Sequence, residues 1–172
     1  MENKLVNRVA NSGIITLNLE DYFPEKAIAE LDIKEFLFHE LILKEKDFRT
    51  SMKELDWTQY QDSHLCVYCS NDAIIPTCAY MLIASHAQEF AASVFTGTKH
   101  QFLNHFYMNQ IENINVDKYA NERIVIKGCS NKPVPPGAYM ALTYKLKPHA
   151  KKIMFGEPCS TVPIYKKSIV KK

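Results

Sequence analysis

The chain has 172 residues, 47% apolar and 23% charged, which suits a single domain with a proper core and excludes a disordered protein. A formal net charge of +2 carries no electrostatic footprint of nucleic-acid binding, and no stretch reads as a signal peptide or a membrane span. Five cysteines in a chain of this size suit reduced thiols better than a disulfide framework, so the sequence reads as soluble and cytoplasmic.

Ile15, Leu17 and Leu19 alternate with Thr16 and Asn18, the two-residue period of a short strand. From Asp32 the period changes. Ile33, Leu37, Leu41, Phe48, Met52 and Leu55 recur at steps of three, four or seven, the stripe of an amphipathic helix. Lys44 interrupts that stripe, so a break is expected near Leu43. Trp57 and Tyr60 follow in a linker, where large aromatics are expected to close the core. Residues 1–62 thus read as an N-terminal strand and helical segment.

An internal repeat comes next. HLCVYCSNDAIIPTCAYMLIASHAQEFAASVFTG aligns with IVIKGCSNKPVPPGAYMALTYKLKPHAKKIMFG once one residue is deleted after Cys-Ser-Asn. Pro76 then falls on Pro135, Ala79-Tyr80-Met81 on Ala138-Tyr139-Met140, Ala91 on Ala150 and Gly97 on Gly156. The units, 63–98 and 122–157, each read as strand, loop, helix, strand. Between them HQFLNHFYMNQIENI reads as a helix with Phe102, Leu103, Phe106 and Tyr107 on one face. The alternation predicts one α/β domain over 1–172, a three-layer sandwich with a mainly parallel sheet built from two βαβ-type repeats. Number the repeat strands one (near 64–68), two (93–97), three (123–128) and four (152–157). A pseudo-twofold with right-handed crossovers gives the sheet order 2-1-3-4.

The Cys-Ser step occurs three times, at Cys69-Ser70, Cys129-Ser130 and Cys159-Ser160, each after an apolar run. The third lies in the last segment, 158–172, read as a loop followed by a solvated basic tail with Lys166, Lys167, Lys171 and Lys172. In the order 2-1-3-4 the three cysteines end contiguous strands, roughly 4.8 Å apart, so their thiolates could share a metal ion or cluster. Capping offers a structural account of Ser70, Ser130 and Asn131, with proline suiting a first helical turn. It accounts less well for the cysteines. Cys66 lies within a strand, an odd offset from Cys69, and reads as core. Cys78 reads as packing, Asp72 as a helix cap, and Glu157 as a weaker candidate oxygen ligand. The six histidines share no Cys-Ser loop and read as surface or helix residues. No dinucleotide fingerprint, phosphate-binding lysine loop or Gly-x-Ser-x-Gly elbow appears.

Together VNRVANS, DAIIPTCAYM, IVIKGCSNKPVP and IMFGEPCSTVPIYK resemble, over nearly the whole chain, a bacterial family known as domain-of-unknown-function family 2480. The resemblance implies no activity. It does imply a link to iron–sulfur assembly, and it carries the family pattern onto the three Cys-Ser steps, with Cys78 standing where tryptophan is expected. The leading expectation is a cytoplasmic protein holding zinc, iron or an iron–sulfur cluster through Cys69, Cys129 and Cys159. Ser70, Ser130 and Ser160 line that centre, and iron–sulfur assembly proteins are the expected partners, without nucleic acid or membrane. One alternative is a thiol or sulfur-transfer enzyme, with Cys69 or Cys129 activated by the helix amino terminus that follows. The other is a non-catalytic adaptor.

Overall fold

Each copy of the repeat folds beside an N-terminal strand of its own. The computed structural model describes residues 13–128 and 130–168. The elements in order are β1 (Ile14–Asn18), β2 (Ile28–Asp32), α1 (Glu45–Glu54), β3 (His64–Tyr68), α2 (Thr77–Ala87), β4 (Ser93–Thr96), α3 (Lys99–Glu112), β5 (Arg123–Lys127), α4 (Pro136–Leu146), β6 (Lys152–Glu157) and β7 (Ser160–Lys166). Among the described residues, four single-turn 3-10 helices lie at Leu19–Tyr22, Ile33–Phe36, Trp57–Tyr60 and Val116–Tyr119. The chain divides into an inserted unit, Pro24–Leu103, and a flanking unit made of the segments on either side of it.

In the inserted unit the sheet runs β2-β3-β4, all parallel. Its core joins Leu31, Leu65 and Val67 from the strands to Phe48 and Met52 of α1 and to Ala79, Ile83 and Ala87 of α2. Those α2 residues recur every four positions, so one stripe of the helix faces the sheet. Burying an aliphatic side chain of this size contributes about 1.5–3 kcal/mol. Trp57 and Tyr60 close this core as expected, and the Trp57 indole N–H donates to the Met52 carbonyl at 2.8 Å.

The flanking unit has the order β1-β5-β6-β7, with only β7 antiparallel. Leu17, Ile124, Ile126 and Ile153 meet Ala138, Leu142 and Leu146 of α4, together with Tyr107 and Ile111 of α3. The Tyr107 hydroxyl donates to the Leu19 carbonyl at 3.0 Å. Pro136 opens α4 at a position where a helix needs no N–H partner.

Both units repeat one topology: strand and 3-10 turn, then helix, 3-10 turn, strand, helix, strand. Helix starts Thr77 and Pro136, left-handed residues Asp62 and Asn121, and strand-ending Gly97 and Gly156 are equally spaced in sequence. The Asp62 amide donates to Phe90 and the Asn121 amide to His149, again at that spacing. The duplication therefore extends beyond the aligned stretch to β1 and β2.

Three expectations need correction. The single sheet of order 2-1-3-4 is not formed: β3 pairs with β2 and β4, while β5 pairs with β1 and β6. The N-terminal strands take the places beside β3 and β5 that the repeat alone had left for each other. Residues from Asp32 to Leu43 form no α-helix either. Ile33 continues the two-residue spacing of Ala29 and Leu31 but opens the 3-10 turn that Asp32 caps, and α1 starts only at Glu45. Lastly, the segment after Cys159 forms the strand β7.

Candidate functional site

The turns at Ser70-Asn71 and Ser130-Asn131 are each held by a carboxylate of their own unit. Cys69 directly follows β3 and is half-buried against the inserted unit's core. The next amide, of Ser70, donates to Asp32 Oδ1 at 3.0 Å, and the same oxygen caps the 3-10 turn through the Lys34 amide at 3.0 Å. The Asn71 side chain donates to the Glu40 carbonyl at 2.8 Å. In the flanking unit, the amides of Ser130 and Asn131 donate to Glu20 Oε1 at 2.6 and 2.8 Å. Asn18 stands where Asp32 stands, so the carboxylate reaches this loop from two residues further on.

These bonds set the charge state of both acids. The amides of Asn131 and Ser130 hold the Glu20 carboxyl below its usual range, against an opposing effect of burial. Burial pushes Asp32 up, but hydrogen bonds from Ser70 and the Lys34 amide, with the Lys34 charge, outweigh it and leave the carboxyl lowered. The amides of Ser70, Ser130 and Asn131 are thus matched internally. The backbone amides of Ser70 and Ser130 hold these loops, and the Ser70 side chain also bonds Asp32.

The cysteines do not share one sheet. Cys69 lies in the inserted unit and Cys159 in the flanking unit. Cys159 is exposed in the turn between β6 and β7, and Ser160 opens β7, also exposed. Cys129 lies outside the described residues. Among the described residues no group of three or more His, Cys, Asp and Glu could hold a metal ion. The contiguity of strands that was to bring Cys69, Cys129 and Cys159 together is therefore absent.

Cys66 is core, as expected, and burial pushes its thiol up to about 11, with Glu30 adding to the shift. Cys78 is exposed rather than packed. Glu157 meets Lys127 Nζ at 3.4 Å. His64 lies on β3, with Nδ1 2.7 Å from Ser93 Oγ, so the reading of every histidine as a surface or helix residue does not hold.

What sets the flanking unit apart is β7. Together with α4 it frames an open apolar groove of about 790 Å³, lined by Val134, Pro136, Tyr139, Met140, Thr143, Tyr144, Phe155 and Ile164. Lys147 is the one charged residue of that lining. Met140 and Tyr144 are 74% and 86% exposed on α4, and Val162 and Ile164 are exposed on β7. Of these, Met140, Tyr144 and Ile164 lie at the groove, an exposed apolar concavity of the kind that ligands fill. The signal in the sequence is the apolar run Val162-Pro163-Ile164-Tyr165, which only the pairing of β7 with β6 aligns with α4.

A family model described as "Protein of unknown function (DUF2480)" matches residues 3–167, and the chain belongs to that family. No curated protein and no solved structure matches it. No helix among the described residues is long and apolar enough to cross a membrane.

Proposed function

We propose that the chain is a non-catalytic binding protein whose working surface is the groove between α4 and β7, and that its ligand is an elongated apolar molecule with one negative charge. The observation that carries this reading is the lining: aliphatic, aromatic and methionine side chains with Lys147 as the one charge. Met140 suits such a surface because its thioether adapts to irregular shapes. Lys147, whose Nζ lies 5.7 Å from the centre of the Tyr165 ring, supplies the partner for a carboxylate or sulfonate. The duplicated scaffold carries the groove, and the strand that completes it is the one element the inserted unit lacks.

Titration with anilinonaphthalene sulfonate, followed by displacement with dodecanoate, tests the reading. Met140→Glu should weaken both at least tenfold. Met81→Glu, at the matching exposed position of α2, should leave both unchanged. Equal loss in the two variants, or none in the first, would count against the groove.

A second reading keeps a metal ion or iron–sulfur cluster, held by Cys129 and Cys159 with ligands from a partner. It is favoured by the pairing of β5 with β6, whose carboxyl ends lead to these cysteines; Lys127 and Glu157 at those ends lie 3.4 Å apart. Zinc or iron would suit the thiolates, iron–sulfur assembly proteins would be the partners, and a cytoplasmic setting would keep the thiols reduced. Anaerobic purification with metal and sulfide analysis tests it. Absence of bound metal after reconstitution, with both thiols free, would sink it.

A further inference from the structure

We infer that the end of the flanking unit's sheet where β5 and β6 begin and β7 ends binds a small polyphosphate, independently of the groove. Arg123, Lys152 and Lys166 stand in one row across three strands, since Arg123 pairs in register with Lys152 and Lys152 with Lys166. Neighbouring strands lie roughly 4.8 Å apart, so three cations are set side by side on one face. Like charges opposite one another across strands are destabilising, and a bound anion would relieve the pair of Lys152 and Lys166. Lys151 and Lys167 flank it, joined by a backbone bond from the Lys167 amide to the Lys151 carbonyl at 2.9 Å. The Lys167 ammonium donates to Asn121 Oδ1 at 3.3 Å, leaving the Asn121 amide group to act as a further donor. Among the described residues, no acid forms an ion pair with Lys151, Lys152 or Lys166; Glu122 is the acid next to the row in sequence.

These five cations line a pocket of about 520 Å³, a volume that suits a small molecule. One phosphate carries roughly two negative charges, too few to answer the row, whereas a di- or triphosphate can reach several strands at once. The chain's net charge of only +2 and the confinement of these cations to one pocket favour a compact ligand over a nucleic-acid backbone, which would need a longer basic stripe.

Calorimetry on the full chain at about 50 mM salt, where screening is moderate, tests the inference with inorganic tripolyphosphate as the probe. Tripolyphosphate should bind at least tenfold more tightly than orthophosphate. The double variant Lys152→Gln/Lys166→Gln should lose at least tenfold in affinity, while Lys53→Gln on α1 should match the parent. Without ligand the double variant should melt no lower than the parent, because it removes like-charge contacts. That keeps lost binding distinct from lost folding. No binding, an equal loss in Lys53→Gln, or tighter binding of a single-stranded oligonucleotide that tripolyphosphate cannot displace would overturn it.

Discussion

The Glu20 carboxylate accepts the backbone amide of Ser130 at 2.6 Å, tying the first strand's 3-10 turn to a loop 110 residues later. Asp32 does the same for Ser70 at 3.0 Å in the inserted unit. Two loops alike in sequence are thus held by acids at non-equivalent positions. The hydrogen-bonding need of the turn persists while the residue meeting it has moved.

Glu20 should therefore contribute to acid sensitivity. Its folded pKa lies below the usual 4.5, so its contribution is present in full above that value and is lost as pH falls through the lowered one. Glu20→Gln should lower the melting temperature at neutral pH, and the gap from the parent should narrow below about pH 4. Parallel melting curves from neutral pH down to pH 3 would show that the bond contributes no pH-dependent stability. Asp32→Asn should behave alike, with its window below 3.8.

The thiols should separate by reactivity. Cys78 and Cys159 are exposed, Cys69 is half-buried, and Cys66 is fully buried with a thiol raised to about 11. Brief alkylation of the native chain followed by peptide mapping should label Cys78 and Cys159 first and Cys66 last. The raised Cys66 thiol stays protonated in the fold after it ionises in the unfolded chain, so its contribution to stability is present below pH 9 and declines between about 9 and 11. Early labelling of Cys66 would mean that β3 is not packed as described.

Ile83 and Leu142 occupy matching helix positions in two separate cores, both at 0% exposure. Each change to alanine should cost about 2–5 kcal/mol. Hydrogen exchange should then lose protection chiefly within the unit that carries the substitution. Loss spread evenly over both units from either variant would contradict two separate cores.

Much of this arrangement was legible in the sequence. Strands β3 to β6, helices α2 to α4 and the core roles of Trp57 and Tyr60 follow from period and repeat. The partners of β3 and β5 do not, because β2 is five residues long and Ile33 fits a helical stripe as well as a strand alternation. That one ambiguous residue hid a strand, and with it the sheet order on which the shared cysteine site depended. The groove was hidden for another reason. Met140, Tyr144 and Ile164 become neighbours only through the β6–β7 pairing, and the segment from 158 onward reads in sequence as a loop and tail.

The final prediction concerns Gly97, just after β4, and Gly156, the penultimate residue of β6. Gly97 and Gly156 hold φ angles of +135° and +116°, a region that residues with a side chain rarely adopt. What a methyl group meets differs between them. At Gly97 it would lie 2.6 Å from Gln101 Oε1 and 2.9 Å from the Phe95 ring, both parts of side chains that can turn aside. At Gly156 it would lie 2.7 Å from the Ser160 carbonyl oxygen, backbone of the turn that aims β7 along β6. Gly156→Ala should therefore lower the melting temperature more than Gly97→Ala does. It should also weaken the binding of anilinonaphthalene sulfonate, since displacing β7 opens one wall of the groove. Gly97→Ala, confined to the inserted unit, should leave that binding intact. If Gly156→Ala proved the milder change, or kept full binding, the β6–β7 hairpin would not be what shapes the groove.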